Sequence, residues 1–124
     1  MILNLTDLSN EPLQSQIYRQ IRAMILSGDI QSGELLPSIR GLARTEKVSV
    51  ITVQRGYEQL EKENLIISRR GKGFYVSELN QRKKKELAEE RLMEKISPII
   101  KSAKSEGMMN FEIEELLINL LKKF

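Results

Sequence analysis

Residues 36–63 read LPSIRGLARTEKVSVITVQRGYEQLEKE, and the spacing inside this stretch decides the fold. Ser38 stands directly before a short helical pattern, Ile39 to Thr45, in which Leu42 and Ala43 face inward. Serine is a strong N-cap because its side-chain oxygen accepts a hydrogen bond from a free amide of the first turn. Glu46 and Lys47 interrupt the pattern, and Val48 is apolar. Ser49 is a second N-cap, from which a longer helix runs from Val50 to about Glu63. Two helices separated by about four residues, each headed by a capping serine, make a helix-turn-helix.

Upstream, Asn10 or Glu11 can cap a helix whose first turn suits Pro12. Leu13, Ile17, Ile21, Met24 and Ile25 recur at helical spacing, and Gly28 stops the helix. Asp29 to Gly33 reads as a turn, with Leu35 and Leu36 as a short apolar anchor. Downstream, Leu65 to Ile67 and Phe74 to Val76 flank the basic, Gly-containing segment Ser68 to Gly73. That pattern predicts a β-hairpin, and beside a helix-turn-helix such a hairpin is a wing.

From Leu79 the composition shifts. Arg82 to Lys85 is a basic run that starts a helix, and Leu92, Ile96, Ile99 and Ala103 follow at helical steps. Pro98 lies inside this pattern and predicts a kink or break near Ser97, because proline lacks the amide that would continue the ladder. Gly107 ends the segment. A last helix, Met108 to Phe124, carries Phe111, Ile113, Leu116, Leu117, Leu120, Leu121 and Phe124. The expected architecture is mainly α with a small β-hairpin. A winged helix-turn-helix DNA-binding domain spans 1–77, and a two-helix C-terminal dimerisation tail spans 78–124.

Composition narrows the function. The chain has 124 residues and contains no Cys, His or Trp. Structural zinc sites, disulfides and His-based acid–base catalysis are therefore excluded. No Gly-rich phosphate loop or metal-ligand cluster is legible, and no cofactor is expected. Glu89/Glu90 and Glu114/Glu115 are adjacent, so on a helix they point apart and cannot flank one bond. An enzyme is not expected. No apolar run approaches a membrane span, and Met1 to Asn10 lacks the basic and apolar regions of a signal peptide. A cytoplasmic protein is expected.

The net charge is only +3. Lys and Arg outnumber Asp and Glu by ten to eight in residues 1–77 and by ten to nine in 78–124. Bulk charge cannot supply nucleic-acid affinity, so local clusters must. At about 100° per residue, Val53, Tyr57 and Leu60 share the buried face of the second helix. Ile51, Gln54, Arg55 and Glu58 point outward. A recognition helix presents its N-terminal residues to the major groove, where Gln pairs with adenine and Arg with guanine. Thr52 can reach a phosphate or a base, and Val50 and Ile51 offer apolar contact, for instance to thymine methyl groups.

At the hairpin tip, Arg69, Arg70 and Lys72 bring three cations together, and Gly71 and Gly73 permit close backbone approach. Such a tip fits a minor groove or phosphates. Arg40, in the first turn beside the Ser38 cap, sits where the helix dipole favours an anion, which makes sense of a phosphate joining it. The alternative is a surface arginine paired with Glu34. The Arg82 to Lys85 run touches DNA flanks or, on the simpler reading, is a solvated helix start balanced by Glu86, Glu89 and Glu90. The tail is too apolar to bury itself, so a homodimer is expected. A membrane-surface helix fits less well, because Glu112, Glu114 and Glu115 occupy its polar side.

Pro12 to Ser77 resembles the winged helix-turn-helix of GntR-family bacterial transcription regulators. The resemblance rests on Pro12-Leu13, Gln16-Ile17, Ile25 to Gly28, Gly33-Glu34, Leu36 to Arg40 and Leu42-Ala43. It continues through Val48-Ser49, Thr52-Val53, Tyr57 to Glu61, Leu65-Ile66 and Gly71 to Gly73. With only about 47 residues after the wing, the chain resembles the short YtrA subfamily, whose helical tail dimerises. The resemblance implies DNA contacts at Arg40, Thr52, Arg70 and Gly71, a palindromic operator, and usually repression. Val50 and Gln54 stand where relatives often have Arg, which leaves the operator sequence open. Glu46 and Lys47 replace a usual Leu-Gly turn. The implied function is a sequence-specific dimeric repressor on double-stranded DNA, the alternative being a non-specific architectural DNA-binding protein. No effector domain is legible. A small-molecule effector, if one acts, is expected at the tail helices.

Overall fold

Apolar spacing turns one face of each predicted helix inward, and the computed structural model, which describes residues 1–124, shows which. Its elements are α1 (Leu13–Ser27), α2 (Ile39–Glu46), α3 (Val50–Lys62), β1 (Ile66–Arg69), β2 (Gly73–Val76), α4 (Gln81–Ser105) and α5 (Asn110–Leu121). The fold is mainly helical with one antiparallel hairpin, and the hairpin, α1, α2 and α3 form a winged helix. No helix is long and apolar enough to cross a membrane. The chain packs as two units, Met1–Lys85 and Glu86–Phe124.

In the first unit, α1 buries Ile17, Ile21 and Ile25, and α3 buries Val53, Tyr57 and Leu60, all without measurable exposure. The two helices approach closely at Gly56. A Cβ built there would lie 3.0 Å from Ile17 Cγ2 and 3.3 Å from the Gln14 carbonyl oxygen. Leu42 and Ala43 of α2 complete the helical core, as their spacing predicts. The far end of the α1–α3 contact is polar: the Tyr18 hydroxyl donates to Glu63, and Arg22 Nε lies 3.2 Å from the same carboxylate.

Strands β1 and β2 pair in antiparallel register, Ile66 opposite Val76 and Arg69 opposite Gly73. A third segment joins them. The Gly33 N–H donates to Val76 O, Val76 N–H to Glu34 O and Leu36 N–H to Phe74 O. The expected apolar anchor at Leu35 and Leu36 is thus a short edge of the wing sheet. Tyr57 ties this sheet to α3. Its ring meets Phe74 edge-on at 5.2 Å between centroids, and its hydroxyl donates to Pro37 O at 2.7 Å.

Several boundaries differ from the sequence expectation. Neither Asn10 nor Glu11 caps α1: its N-cap is Pro12, without a side-chain cap bond. Gln16 instead organises the N-terminal segment. Its amide nitrogen donates to Thr6 O and Glu11 O, both at 2.8 Å, and its oxygen accepts from Thr6 N–H at 3.0 Å. Helix α4 runs unbroken through Pro98. Proline removes only one amide donor from the ladder, so the break expected near Ser97 does not occur. Helix α5 begins later than expected, at Asn110, where the Met109 N–H donates to the Glu112 carboxylate at 2.8 Å. Within the basic run, Arg82, Lys83 and Lys85 are exposed but Lys84 is buried, so the run is not uniformly solvated. A lysine stem can be covered while its ammonium reaches water.

Two stability predictions follow from the core of the first unit. Gly56→Ala gains helix propensity of about 1 kcal/mol but overpacks against fully buried Ile17 and a backbone oxygen. A net loss of about 1–3 kcal/mol is expected in urea unfolding, and a gain would refute the close-approach argument. Burial raises the Tyr57 phenol pKa well above its ordinary value. A raised folded-state pKa leaves its contribution intact below about pH 10 and erodes it above, by up to about 1.4 kcal/mol per pH unit. Tyr57→Phe should cost about 1–2 kcal/mol at neutral pH and flatten that alkaline decline, as measured by unfolding at pH 8 and 11.

Candidate nucleic-acid interface

Two helix starts and one hairpin turn carry the residues that the sequence marks for DNA. At α2, the Ser38 hydroxyl accepts from Gly41 N–H at 3.0 Å. Arg40 is exposed in the turn that this cap stabilises, and it forms no ion pair with Glu34. At α3, Ser49 Oγ accepts from Thr52 N–H at 3.1 Å and lies 2.8 Å from Thr52 Oγ1. Both capping serines therefore act as the sequence predicts, and each leaves further first-turn amides without a helical acceptor, a polarity suited to anions.

The outward face of α3 is as expected from its periodicity. Val50 is 39% exposed and Ile51 58%, and Gln54 and Arg55 are exposed one turn further on. Thr52 is half-buried, its hydroxyl engaged with the Ser49 cap. Gln54 Nε2 donates to Glu58 Oε1 at 3.1 Å. Sequence reading placed Glu58 on this face without assigning it a role. The four-residue Gln–Glu spacing was the available signal, since such pairs meet on a helix surface.

The hairpin turn consists of Arg70, Gly71 and Lys72, all exposed, closed by the Lys72 N–H donating to Arg69 O at 2.9 Å. Gly71 has φ +73°, a conformation that a glycine adopts without strain. The three tip cations are not equivalent. Arg69 belongs to β1, and its guanidinium lies 4.9 Å from the centroid of the Tyr75 ring, a cation–π contact that engages it within the sheet. Arg70 and Lys72 remain at the turn. Tyr57 connects the three exposed regions, since it belongs to α3, bonds to the residue preceding Ser38 and packs on the hairpin.

The second unit displays the residues expected for dimerisation. Leu92, Ile99, Phe111, Leu116, Leu120, Leu121 and Phe124 are exposed, from 48% for Leu120 to 97% for Phe124. Ile96, Ala103, Ile113 and Leu117 are half-buried and line an apolar cleft of about 120 Å³ with Ile99, Ile100, Met108 and Leu116. No residue from Glu86 to Phe124 is fully buried.

The model of the family "Bacterial regulatory proteins, gntR family" matches residues 13–76, the winged helix itself. The chain is 39% identical over 70 residues to the HTH-type transcriptional repressor YtrA of Bacillus subtilis, covering 56% of this chain and 54% of that protein. Over 107 residues it is 30% identical to the uncharacterized HTH-type transcriptional regulator YhcF of the same organism, covering 86% and 88%. A GntR family transcriptional regulator from Listeria monocytogenes has a similar structure, with TM-score 0.74, 28% identity, and 94% and 97% of the two chains covered. YtrA from Sulfolobus acidocaldarius, a GntR-family transcription factor, matches with TM-score 0.60 and 29% identity over 75% of this chain and 98% of its own. A winged helix with a family match across all its elements, followed by helices that full-length relatives share, places the chain in the GntR family of bacterial transcription regulators.

Proposed function

We propose that this regulator binds a palindromic operator as a homodimer and represses transcription there. The observation that carries the reading is the attachment of an exposed recognition-helix start and a basic hairpin turn to one buried residue, Tyr57. In this reading α3 enters the major groove with Val50, Ile51, Gln54 and Arg55 toward the bases. The first turns of α2 and α3, with Ser38, Arg40, Ser49 and Thr52, hold phosphates. Arg70, Gly71 and Lys72 follow the backbone or enter the minor groove. No step of chemistry is required, and no catalytic residue is assigned.

Dimerisation is supported by energetics. Each large exposed apolar side chain gains about 1.5–3 kcal/mol when fully buried, and the second unit offers many that it does not bury alone. A second copy buries them symmetrically and duplicates the DNA-binding surface. Two copies also compensate for the small net charge, because each local cluster then counts twice. Repression is inferred by analogy with the Bacillus relative whose name is that of a repressor.

Arg40→Ala and Arg70→Ala should each weaken operator binding roughly tenfold or more. Each should also flatten the slope of log affinity against log salt by about two, one phosphate per protomer. Fluorescence anisotropy at several salt concentrations measures both. Unchanged affinity for both variants would sink the assignment. Wild-type protein should prefer its operator over scrambled DNA by about a thousandfold, whereas equal affinity for both would favour an architectural protein. Leu116→Asp, at a position 58% exposed in the single chain, should yield a monomer by analytical ultracentrifugation. Its thermal unfolding in the first unit should be unaltered and its operator affinity greatly reduced. A dimer of unchanged affinity would disprove the tail as the interface.

A further inference from the structure

We infer that the first turn of α3 reads the C5-methyl group of a pyrimidine, with Ile51 and Val50 as the specificity-determining residues. The inference rests on the DNA-binding reading and deepens it. Its starting point is an oddity of α3. Ile51 stands almost opposite the buried face made by Val53, Tyr57 and Leu60, and it is 58% exposed. Isoleucine is a poor choice for that position on stability grounds. It is β-branched, so it loses side-chain freedom in a helix, and it places apolar surface in water. Val50, beside it, is a second β-branched residue, 39% exposed. The Ile51 side chain lies away from the core, which Val53, Tyr57 and Leu60 complete on the opposite face, and Val50 presents part of its side chain at the edge between the two faces.

The polar groups nearby sharpen the assignment. Ser49 and Thr52 use one hydroxyl hydrogen between them and serve the cap, and the other hydroxyl hydrogen is left for a phosphate rather than a base. Gln54 is held by Glu58 through one amide hydrogen. Its second amide hydrogen and its oxygen remain for the N7 and N6 groups of an adenine. The partner of adenine is thymine, the one standard base that displays a methyl group in the major groove. The leading turn of α3 is thus uncharged, and the turn after it begins with an amide suited to the other half of an A·T pair. A guanine reader would need a cation there, and the only one on this half of the face is Arg55.

The experiment uses the full-length protein and DNA selected from a random duplex pool. Each thymine of the enriched half-site is then replaced by deoxyuridine, which keeps the pairing and removes only the methyl group. Wild-type affinity should fall about fourfold for each methyl group buried against the protein, at one or two positions per half-site. Ile51→Ala, or Val50→Ala for its own position, should bind thymine and uracil duplexes equally there. Equal wild-type affinity for thymine and uracil duplexes at every position would overturn the inference while leaving the regulator reading intact. Failure to enrich any DNA would overturn both. Repeating the selection with 5-methylcytosine in place of cytosine separates the two sources of the methyl group. Enrichment of thymine alone assigns it to A·T pairs, and interchange of the two bases assigns it to the methyl group itself.

Discussion

Tyr57 imposes the constraint on which the surface proposed to face DNA depends. It lies on the buried side of α3 without measurable exposure, yet it reaches two other elements. Its hydroxyl takes the Pro37 carbonyl, one residue before the cap of α2, and its ring edge meets Phe74 in the wing. A phenylalanine would fill the same volume and leave that carbonyl without its bond. A smaller residue would remove the ring contact with Phe74. The phenol is neutral throughout the physiological range, and burial extends its donating form further into alkaline pH. One side chain therefore fixes the mutual arrangement of the helix start, the preceding cap and the basic turn, and the exposed residues can be chosen with little regard for stability.

That division explains what was legible in the sequence. The two serine caps, the buried triad Val53, Tyr57 and Leu60, and the glycine-containing hairpin are written in local spacing, and local spacing survives folding. Contacts set by tertiary approach are not. Nothing in the periodicity of residues 50–63 reveals that Gly56 faces Ile17 so closely that an added methyl group would press against it. The third segment of the wing sheet, Gly33 to Leu36, pairs with strand residues about 40 positions away, so its strand character is decided by partners rather than by its own composition. Gln16 reads as one polar residue in a helix, yet it is buried because the N-terminal segment lies over it and satisfies its amide. Pro98 does not break its helix, for a related reason. The missing amide costs one bond, and whether a helix breaks there depends on the rest of the ladder.

The turn between α2 and α3 shows where this chain accepts a cost. Lys47 has φ +57°, the left-handed region that glycine fills most cheaply. Its N–H still donates to Ala43 O, and the Val48 N–H reaches the same carbonyl at 3.0 Å. The turn geometry is therefore preserved although its residue is unusual. A lysine there places a cation at the C-terminal end of α2, where the helix dipole favours it, and it also removes backbone freedom from the unfolded chain. Both effects offset part of the local strain.

The charge distribution then limits how such a surface can act. With a net charge of only +3, the chain has little long-range attraction for DNA, and screening at physiological salt confines what remains to about 8 Å. Cations that are engaged internally contribute less still: Arg69 is placed over Tyr75, and Arg22 is paired with Glu63. On the helix-turn-helix and the hairpin turn the cations outside any ion pair, among them Arg40, Arg44, Arg55, Arg70 and Lys72, are dispersed over several elements rather than gathered in one patch. A surface of that kind binds weakly wherever shape and bases do not match, because non-specific affinity grows with the number of phosphates neutralised. In the proposed reading, discrimination then falls to the uncharged first turn of α3, and a second copy joined through the apolar second unit would double the site rather than add charge.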